Sequence, residues 1–183
     1  KEDEEEAGKR ADTMANEAMR VIAFASKKVE DGQKLTQEQA ERELVFLGLA
    51  GLLDPPRTNV SQAIRATKEA GIRTIIVSGD LPLTVRKIAS QVGIDSTGEL
   101  ITGAQLSRMN ETALKEKAKE ISVFARINPE QKLRLVRALQ EQDEVVAVTG
   151  DGINDAPALK KADIGVALGS GPEVAKEASD LVI

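Results

Sequence analysis

Three oxygen-bearing side chains, Asp151, Asn154 and Asp155, follow an apolar run in the segment VVAVTGDGINDAPA. The run from Val145 to Val148 is typical of a buried strand, and in an open parallel sheet ligands collect beyond the carboxyl ends of the strands. Two glycines in the segment allow a sharp turn and a close backbone approach to a phosphate. Mg²⁺ needs one or two carboxylates beside water and phosphate oxygens. The segment therefore predicts a magnesium and phosphate site, although the same residue types also build ordinary turns.

Two further groups of polar residues follow apolar runs. Ser78, Gly79 and Asp80 end the run TIIVSGD, where a hydroxyl and free backbone donors could bind a phosphoryl oxygen or simply form a turn. Arg126 ends the strand-like run SVFAR, and Lys132 lies at the start of the helical pattern PEQKLRLVRALQ. Lys132 can point away from the apolar face of that helix, so it is either a phosphate ligand or a solvated helical lysine.

The elements that must position these residues alternate between strand and helix after residue 57. The strand patterns are RTIIVSGD, SVFAR, EVVAV, IGVAL and DLVI. The helical patterns cover Asn59 to Ala70, Leu83 to Val92, Ala104 to Met109, Glu111 to Glu120, Pro129 to Gln140, Pro157 to Lys161 and Pro172 to Ala178. Gly71 and Gly93 stand where helix C-caps are expected. This alternation predicts an α/β fold with a doubly wound parallel sheet.

The N-terminal part has a different pattern. A helix is predicted from Ala7 to Met19, and two apolar strands, Arg20 to Lys27 and Leu44 to Leu53, could pair as a hairpin. Two strands and one helix make a poor independent core, so we expect residues 1–53 to be the end of a larger domain. The sequence DPPR, Asp54 to Arg57, then marks a break, because consecutive prolines cannot lie inside a helix or sheet.

Composition excludes several classes of function. The 183 residues include no His and no Cys, which excludes imidazole catalysis, disulfides and thiolate metal sites. The net charge is −5 and basic residues are interspersed with acidic ones, which argues against a nucleic-acid surface. No run approaches the ~20 apolar residues of a membrane span, and the acidic start KEDEEEAGKR is unlike a signal peptide. We expect the chain itself to be soluble.

The quoted motifs resemble those of P-type ion-transporting ATPases, a branch of the haloacid dehalogenase superfamily. The segment from Val145 through PALKKADIGVAL is similar to their hinge-side magnesium motif, and SGD to their second signature, in which Ser78 replaces the usual threonine. NPEQK resembles the element with the phosphate-neutralising lysine, and LLDPPR the junction between two domains. The resemblance implies that residues 1–53 end an α+β nucleotide-binding domain and that residues 54–183 form a haloacid dehalogenase-like, Rossmann-type phosphorylation domain.

The resemblance implies phosphoryl transfer, in which catalysis is mostly positioning and charge stabilisation. Asp151 would coordinate Mg²⁺, and Asp155 would hold the site as a direct or an indirect ligand. Asn154 would donate to the phosphoryl group, whose developing charge Lys132 and Ser78 would stabilise. ATP is the implied substrate. The residues implied in contacts with its phosphates are Ser78, Gly79, Asp80, Arg126, Lys132 and Asn154.

The attacking group in the family is an aspartate in an aspartate-lysine-threonine-glycine-threonine segment, which forms an aspartyl phosphate. No such segment occurs in this sequence. We therefore interpret the chain as part of an ATP-driven cation pump, lacking the first strand and the phosphorylation loop, and we expect the isolated chain to be inactive. The alternatives are a non-enzymatic pump-like module that binds magnesium or a partner, and a soluble phosphatase of the same superfamily.

The resemblance also implies the setting of the parent protein. LLDPPR, VFARINPEQK and the ending GSGPEVAKEASDLVI resemble calcium-type pumps more than heavy-metal pumps, so calcium is the expected ion. The ion would be bound by the parent's membrane helices and not by this chain. The expected partners are ATP and the remaining pump domains, at the cytoplasmic face of a membrane.

Overall fold

The chain forms two compact units, Lys1–Pro55 and Pro56–Ile183. The computed structural model describes residues 2–17, 19–30, 32, 34–53 and 55–183. Asp54, with which the predicted break begins, lies outside the described residues. The division between the units falls between the two prolines of the DPPR sequence. This position is where stiff, non-helical backbone was expected.

The first unit contains the predicted hairpin. Its elements are α1 (Glu2–Asn16), β1 (Arg20–Ser26), α2 (Gln37–Ala40) and β2 (Val45–Leu52). The two strands pair antiparallel, with a register shift between Phe24 and Ala25. Helix α2 was missed by the sequence analysis, although the pattern of Thr36 followed by Gln39 is a capping box at its start.

The first unit buries little of its apolar surface. Among the side chains described between residues 4 and 53, none is classed as buried. Large apolar side chains of the hairpin are exposed, among them Phe24, Val45, Phe46, Leu47 and Leu52. An exposed apolar surface of this kind is unusual for an independent domain. This observation agrees with the expectation that two strands and a helix make a poor core.

The second unit alternates strands and helices as predicted, except that the strand Ile101–Thr102 was missed by the sequence analysis. Its elements are α3 (Val60–Glu69), β3 (Ile76–Val77), α4 (Pro82–Val92), β4 (Ile101–Thr102), α5 (Gly103–Arg108), α6 (Glu111–Glu120), β5 (Val123–Ala125), α7 (Pro129–Gln140), β6 (Ala147–Gly150), a 3-10 helix (Ile153–Asp155), α8 (Ala156–Lys161), β7 (Ile164–Ala167), α9 (Glu173–Glu177) and β8 (Leu181–Val182). None of the helices in the described ranges combines the length and apolar character that a membrane crossing requires.

The parallel strands form two three-stranded sheets and not one continuous sheet. Their orders are β3-β5-β4 and β6-β7-β8, and all pairs are parallel. The prediction of a buried strand over Val145 to Val148 was wrong, because β6 begins at Ala147 and Val145 is 81% exposed. Within the described residues β6 pairs with β7 on one side alone, so its other edge is uncovered.

Strand β5 carries helices on both faces. Val123 and Ala125 pack into a cluster with side chains of α4, including Val85 and Ala89. Phe124, which lies between them in the strand, packs into a cluster on the opposite face. That second cluster contains Leu106, Leu114, Leu135 and Leu139 from α5, α6 and α7. The two-sided burial confirms the doubly wound α/β arrangement around this strand.

Candidate functional site

The loop after β6 is organised around the carboxylate of Asp155. Its Oδ1 lies 2.5 Å from the Nζ of Lys132, which comes from the first turn of α7. Its Oδ2 accepts hydrogen bonds from the backbone N–H groups of Asp151, at 3.2 Å, and Gly152, at 3.1 Å. The side chains of Lys132 and Asp155 are only 19% and 14% exposed. Asp155 therefore joins helix α7 to the loop that carries Asp151.

The pKa of Asp155 lies below the ordinary value of a carboxyl group. Burial raises this pKa, but the hydrogen bond and the positive charge of Lys132, together with the two backbone N–H groups, lower it by more. The carboxylate is therefore ionised at neutral pH. The ionised Asp155 holds the Lys132 side chain against the loop through this ion pair.

Gly150 is required by the close approach of Asp155. A Cβ atom at position 150 would lie 2.5 Å from the Cβ of Asp155 and 2.8 Å from its Oδ2. At Gly152 the nearest atom to an added Cβ would be the same Oδ2, at 3.5 Å, which is an ordinary contact. The first glycine of the GDG sequence thus makes room for a carboxylate of the chain itself, a role the sequence analysis did not assign.

Asp151 and Asn154 present their side chains to solvent beside this pair. Both residues are exposed, and among the described residues neither side chain has a hydrogen-bond partner. The described residues contain no group of three or more His, Cys, Asp or Glu that could hold a metal. Mg²⁺ does not require such a group, because it keeps several waters and binds one or two carboxylates together with phosphate oxygens. The exposed Asp151 carboxylate fits that requirement.

The Ser78–Asp80 loop is closed on itself and tied to β5. The Ser78 hydroxyl donates to Asp80 Oδ2 at 2.9 Å, and the Asp80 N–H donates back to Ser78 Oγ at 3.1 Å. The Arg126 N–H donates to the Asp80 carbonyl oxygen and the Ile127 N–H to that of Ser78, both at 3.0 Å. Gly79 is exposed at the tip of this loop.

Helix α7 begins with a capping box that sets the position of Lys132. Asn128 Oδ1 accepts from the Gln131 N–H at 2.9 Å, and Gln131 Oε1 accepts from the Asn128 N–H at 3.0 Å. Pro129 occupies the first turn, where its missing N–H costs nothing. The sequence analysis overlooked Asn128 and Gln131, although the N-P-x-Q pattern is a recognisable helix start.

The structure gathers the predicted site residues into two groups. Lys132, Asp151, Asn154 and Asp155 lie on or next to the loop after β6, as the preceding contacts show. Ser78, Gly79, Asp80 and Arg126 lie at the carboxyl ends of β3 and β5. Within the described residues, no hydrogen bond or ion pair joins the side chains of one group to those of the other.

Comparison with known proteins identifies the family of the chain. The family model for haloacid dehalogenase-like hydrolases matches residues 4–163. The chain is 45% identical over 93% of its length to a calcium-transporting ATPase of Bacillus subtilis. It is 43% identical over 94% of its length to calcium-transporting ATPase 1 of Lactococcus lactis. It is also 47% identical over 93% of its length to the cation-transporting ATPase pma1 of Synechocystis.

The chain spans about a fifth of the length of these relatives, 19%, 20% and 19% respectively. The relatives are named as ion-transporting ATPases, in agreement with the resemblance inferred from the motifs. The family match covers most of both units, including every predicted site residue. This chain belongs to the family of haloacid dehalogenase-like hydrolases.

Proposed function

We propose that this chain supplies the magnesium-binding and phosphate-stabilising residues of an ATP-driven cation pump, with calcium as the transported ion. The observation that carries the proposal is the Lys132–Asp155 pair beside the exposed Asp151. The names of the relatives support ATP and calcium as the substrates of the whole protein. The chain would then act at the cytoplasmic face of a membrane, together with the remaining parts of the pump.

Asp151 is the proposed direct ligand of Mg²⁺, and Asp155 the indirect one. Both oxygens of Asp155 already accept hydrogen bonds, from Lys132 and from two backbone N–H groups, whereas the Asp151 carboxylate is exposed. A Mg²⁺ ion bound directly to Asp155 Oδ1 would lie next to the positively charged Lys132 ammonium, and the two cations would repel each other. When bound, magnesium would neutralise negative charge on the phosphates.

The remaining residues have proposed roles in phosphoryl transfer. A carboxylate oxygen of the nucleophilic aspartate would attack the γ-phosphorus of ATP, the bond to the bridging oxygen would break, and ADP would leave; water would later hydrolyse the aspartyl phosphate. Lys132 and Ser78 would stabilise charge on the transferring group, and Asn154 would donate a hydrogen bond to it. Arg126, Gly79 and Asp80 would contact the nucleotide phosphates.

The second unit is proposed to be a phosphorylation domain whose first strand and nucleophile come from another segment of the pump. Strand β3 pairs with β5 and β6 pairs with β7, so within the described residues each leaves one edge unpaired. Unpaired edges accept an added strand readily. The first unit, with its exposed apolar hairpin, is proposed to be the end of a nucleotide-binding domain.

Calorimetric titration with Mg²⁺, with and without beryllium fluoride as a phosphate analogue, tests the proposed site. We expect binding by the unaltered chain, loss of binding in Asp151→Ala, and retention in Glu69→Ala, which removes an exposed carboxylate from helix α3. Equal binding by Asp151→Ala and the unaltered chain would contradict the assignment of Asp151.

Incubation with radiolabelled ATP tests the proposed absence of the nucleophile. We expect no acid-stable phosphate on the isolated chain, and we expect phosphate to appear when a peptide with the aspartate-lysine-threonine-glycine-threonine segment is added. Labelling of the chain without the peptide would contradict the proposal. Magnesium binding that persists without any labelling in the presence of the peptide would favour a non-enzymatic module.

A further inference from the structure

Arg126 has an unusual backbone conformation at the end of β5. Its φ angle is 54°, in the left-handed region that non-glycine residues rarely adopt. Such outliers persist when the surrounding structure over-determines them, and they often occur at functional sites. The side chain of Arg126 is exposed. The conformation therefore requires an explanation in the contacts of the backbone.

The left-handed turn directs two successive amides toward the same loop. In a regular strand, neighbouring N–H groups point in opposite directions. Here the N–H groups of Arg126 and Ile127 both donate to the Ser78–Asp80 loop, to the carbonyl oxygens of Asp80 and Ser78 respectively, at 3.0 Å each. The backbone of Arg126 thus determines where that loop is held.

Gly103 packs directly against the carbonyl group of Arg126. A Cβ atom at position 103 would lie far inside van der Waals contact with the Arg126 carbonyl oxygen, and 3.1 Å from its carbonyl carbon. Gly103 is not among the glycines with positive φ, so close approach alone requires glycine here. Any side chain at 103 would have to displace the peptide between Arg126 and Ile127, which carries the N–H bonded to Ser78.

Gln131 joins Gly103 to the start of helix α7. Its Nε2 donates to the Gly103 carbonyl oxygen at 2.8 Å and to Ser107 Oγ at 2.7 Å. Its Oε1 accepts from the Asn128 N–H, which completes the capping box next to Lys132. Gly103, Arg126 and Gln131 therefore form one contact region. On one side this region includes the backbone that binds the Ser78–Asp80 loop, and on the other it includes the first turn of α7, which carries Lys132.

We propose that Gly103 is a positioning residue, whose contact with the Arg126 carbonyl group fixes the Ser78–Asp80 loop and the exposed Arg126 side chain for binding nucleotide phosphates. This inference rests on the proposed function for the identity of the ligand. The arrangement of the loop itself does not depend on that identity. The two parts can therefore be tested separately.

The first test compares Gly103→Ala with Gly98→Ala by amide NMR. Gly98 is the matched control, because an added Cβ there would have no heavy atom within 4 Å. We expect Gly103→Ala to shift the resonances of Ser78, Asp80 and Ile127 and to speed hydrogen exchange of the Ile127 amide by about tenfold or more. Gly98→Ala should leave all of these unchanged. Unchanged Ser78 and Ile127 amides in Gly103→Ala would overturn the proposal.

The second test measures binding of ATP with Mg²⁺ in a double-mutant cycle. We expect Gly103→Ala to weaken binding about fivefold or more in the unaltered chain. The loss should be smaller in an Arg126→Ala background, because the phosphate contact of the Arg126 side chain that Gly103 helps to position is already absent there. An equal loss in both backgrounds would indicate a merely structural role and would overturn the proposal. Failure of the unaltered chain to bind ATP would contradict the proposed nucleotide contacts, while the NMR comparison still decides the role of Gly103.

A third variant keeps the proposal testable if Gly103→Ala does not fold. Gln131→Ala removes the donor to the Gly103 carbonyl oxygen without adding an atom to the crowded contact. It should shift the same amides by a smaller amount and weaken ATP binding in the same background-dependent way. Gln131→Ala without any effect on Ser78 and Ile127 would count against the proposal.

Discussion

Asp155 has a partner for each carboxylate oxygen: the Lys132 ammonium on one, and two backbone N–H groups of its own loop on the other. A carboxylate in these surroundings orders the loop and holds the lysine. It also explains why the loop needs a glycine at position 150, where no Cβ can be accommodated. At the scale of single residues, the site is thus built from one carboxylate that organises and one, Asp151, that stays exposed.

Removal of the Asp155 charge should change how stability depends on pH. Because the folded-state pKa of Asp155 is lowered, its ionisation contributes stability that is complete above the unfolded value, about 3.8, and is lost as pH falls through the lower folded value. The Asp155→Asn variant cannot ionise at this position, so the part of the acid-induced loss of stability that comes from Asp155 should be absent in this variant. At neutral pH the variant should be less stable than the unaltered protein by about 1–3 kcal/mol. Urea unfolding across the acid range measures both effects.

Comparison of the unaltered protein with Asp155→Asn separates the contribution of Asp155 to stability from those of other carboxyl groups whose pKa is lowered. Asp95, Glu141 and Asp163 also have folded-state pKa values below the ordinary range, and each of them is present in both proteins. Their contribution therefore cancels in the difference. Parallel stability curves below the ordinary carboxyl pKa would show that the Lys132–Asp155 pair contributes nothing to acid sensitivity.

The two glycines of the GDG sequence should respond differently to alanine. Gly150→Ala forces the Asp155 side chain to move and should cost about 1–3 kcal/mol of stability through overpacking. Gly152→Ala meets only an ordinary contact at 3.5 Å and should change stability by about 0.5 kcal/mol or less. Chemical denaturation of both variants gives the comparison. A larger cost at Gly152 than at Gly150 would contradict this account of the loop.

At the scale of elements, strand β3 lies at the edge of its parallel sheet, so some of its backbone amides have no partner strand among the described residues. Strand β3 donates to β5 through the amides of Ile76 and Ser78. Because neighbouring amides in a strand alternate in direction, the Val77 amide points toward the unpaired edge. The Val77 side chain nevertheless packs against the core cluster around Phe124.

Hydrogen exchange should reveal this unpaired edge. We expect the protection factor of the Val77 amide to be at least about tenfold lower than those of Ile76 and Ser78. NMR-detected exchange of the native protein measures all three amides in one experiment. Ile76 and Ser78 are the internal controls, since they flank Val77 in the sequence and both donate to the backbone along β5. Equal protection of the three amides would mean that the edge is covered in solution.

In the second unit, local signals allowed helices to be predicted more accurately than strands. In the first unit the reverse holds, because both hairpin strands were predicted to within one residue, whereas helix α1 spans Glu2–Asn16 and not Ala7 to Met19. Helices α6 and α7 have the predicted ends, because Asn110 and Pro129 are start signals that act within one turn. Gly93 ends α4 with φ of 86°, as a C-cap glycine should. In contrast, the strand predicted over RTIIVSGD is only Ile76–Val77, since strand length depends on a neighbour that sequence alone does not place.

The candidate site was predictable as a set of residue types but not as a set of contacts. Motifs identified the loop after β6 and the lysine of α7. The ion pair between Lys132 and Asp155 joins residues 23 positions apart, and the contact of Gly103 with Arg126 follows from no local pattern. Such long-range contacts depend on how the strands are ordered, which periodicity does not determine.

At the scale of the whole molecule, the two units differ in how many of their apolar side chains are buried. The second unit contains all the buried hydrophobic residues found among the described residues, whereas the hairpin of the first unit exposes many. Exposed apolar strands with free edges favour association between chains. The net charge of −5 opposes association only weakly, because charges on the surface are screened by salt.

We expect the chain to self-associate through this hairpin. Leu47 is 65% exposed in β2, and Leu47→Lys should shift the protein toward the monomer because a charge on an edge strand blocks pairing. Ile72→Lys is the matched control, since Ile72 is 59% exposed and lies in the second unit, outside the hairpin. Sedimentation velocity over a range of concentrations distinguishes the two. Equal association by both variants would exclude the hairpin as the contact.

The distribution of the three phenylalanines provides a spectroscopic label for each unit. Phe24 and Phe46 are about half exposed in the hairpin, whereas Phe124 is fully buried in the second unit, and the sequence has no Trp or Tyr. Incorporation of fluorophenylalanine would therefore give three ¹⁹F signals, two from the first unit and one from the second. A single sample, without any substitution, would report the melting of each unit on its own resonance.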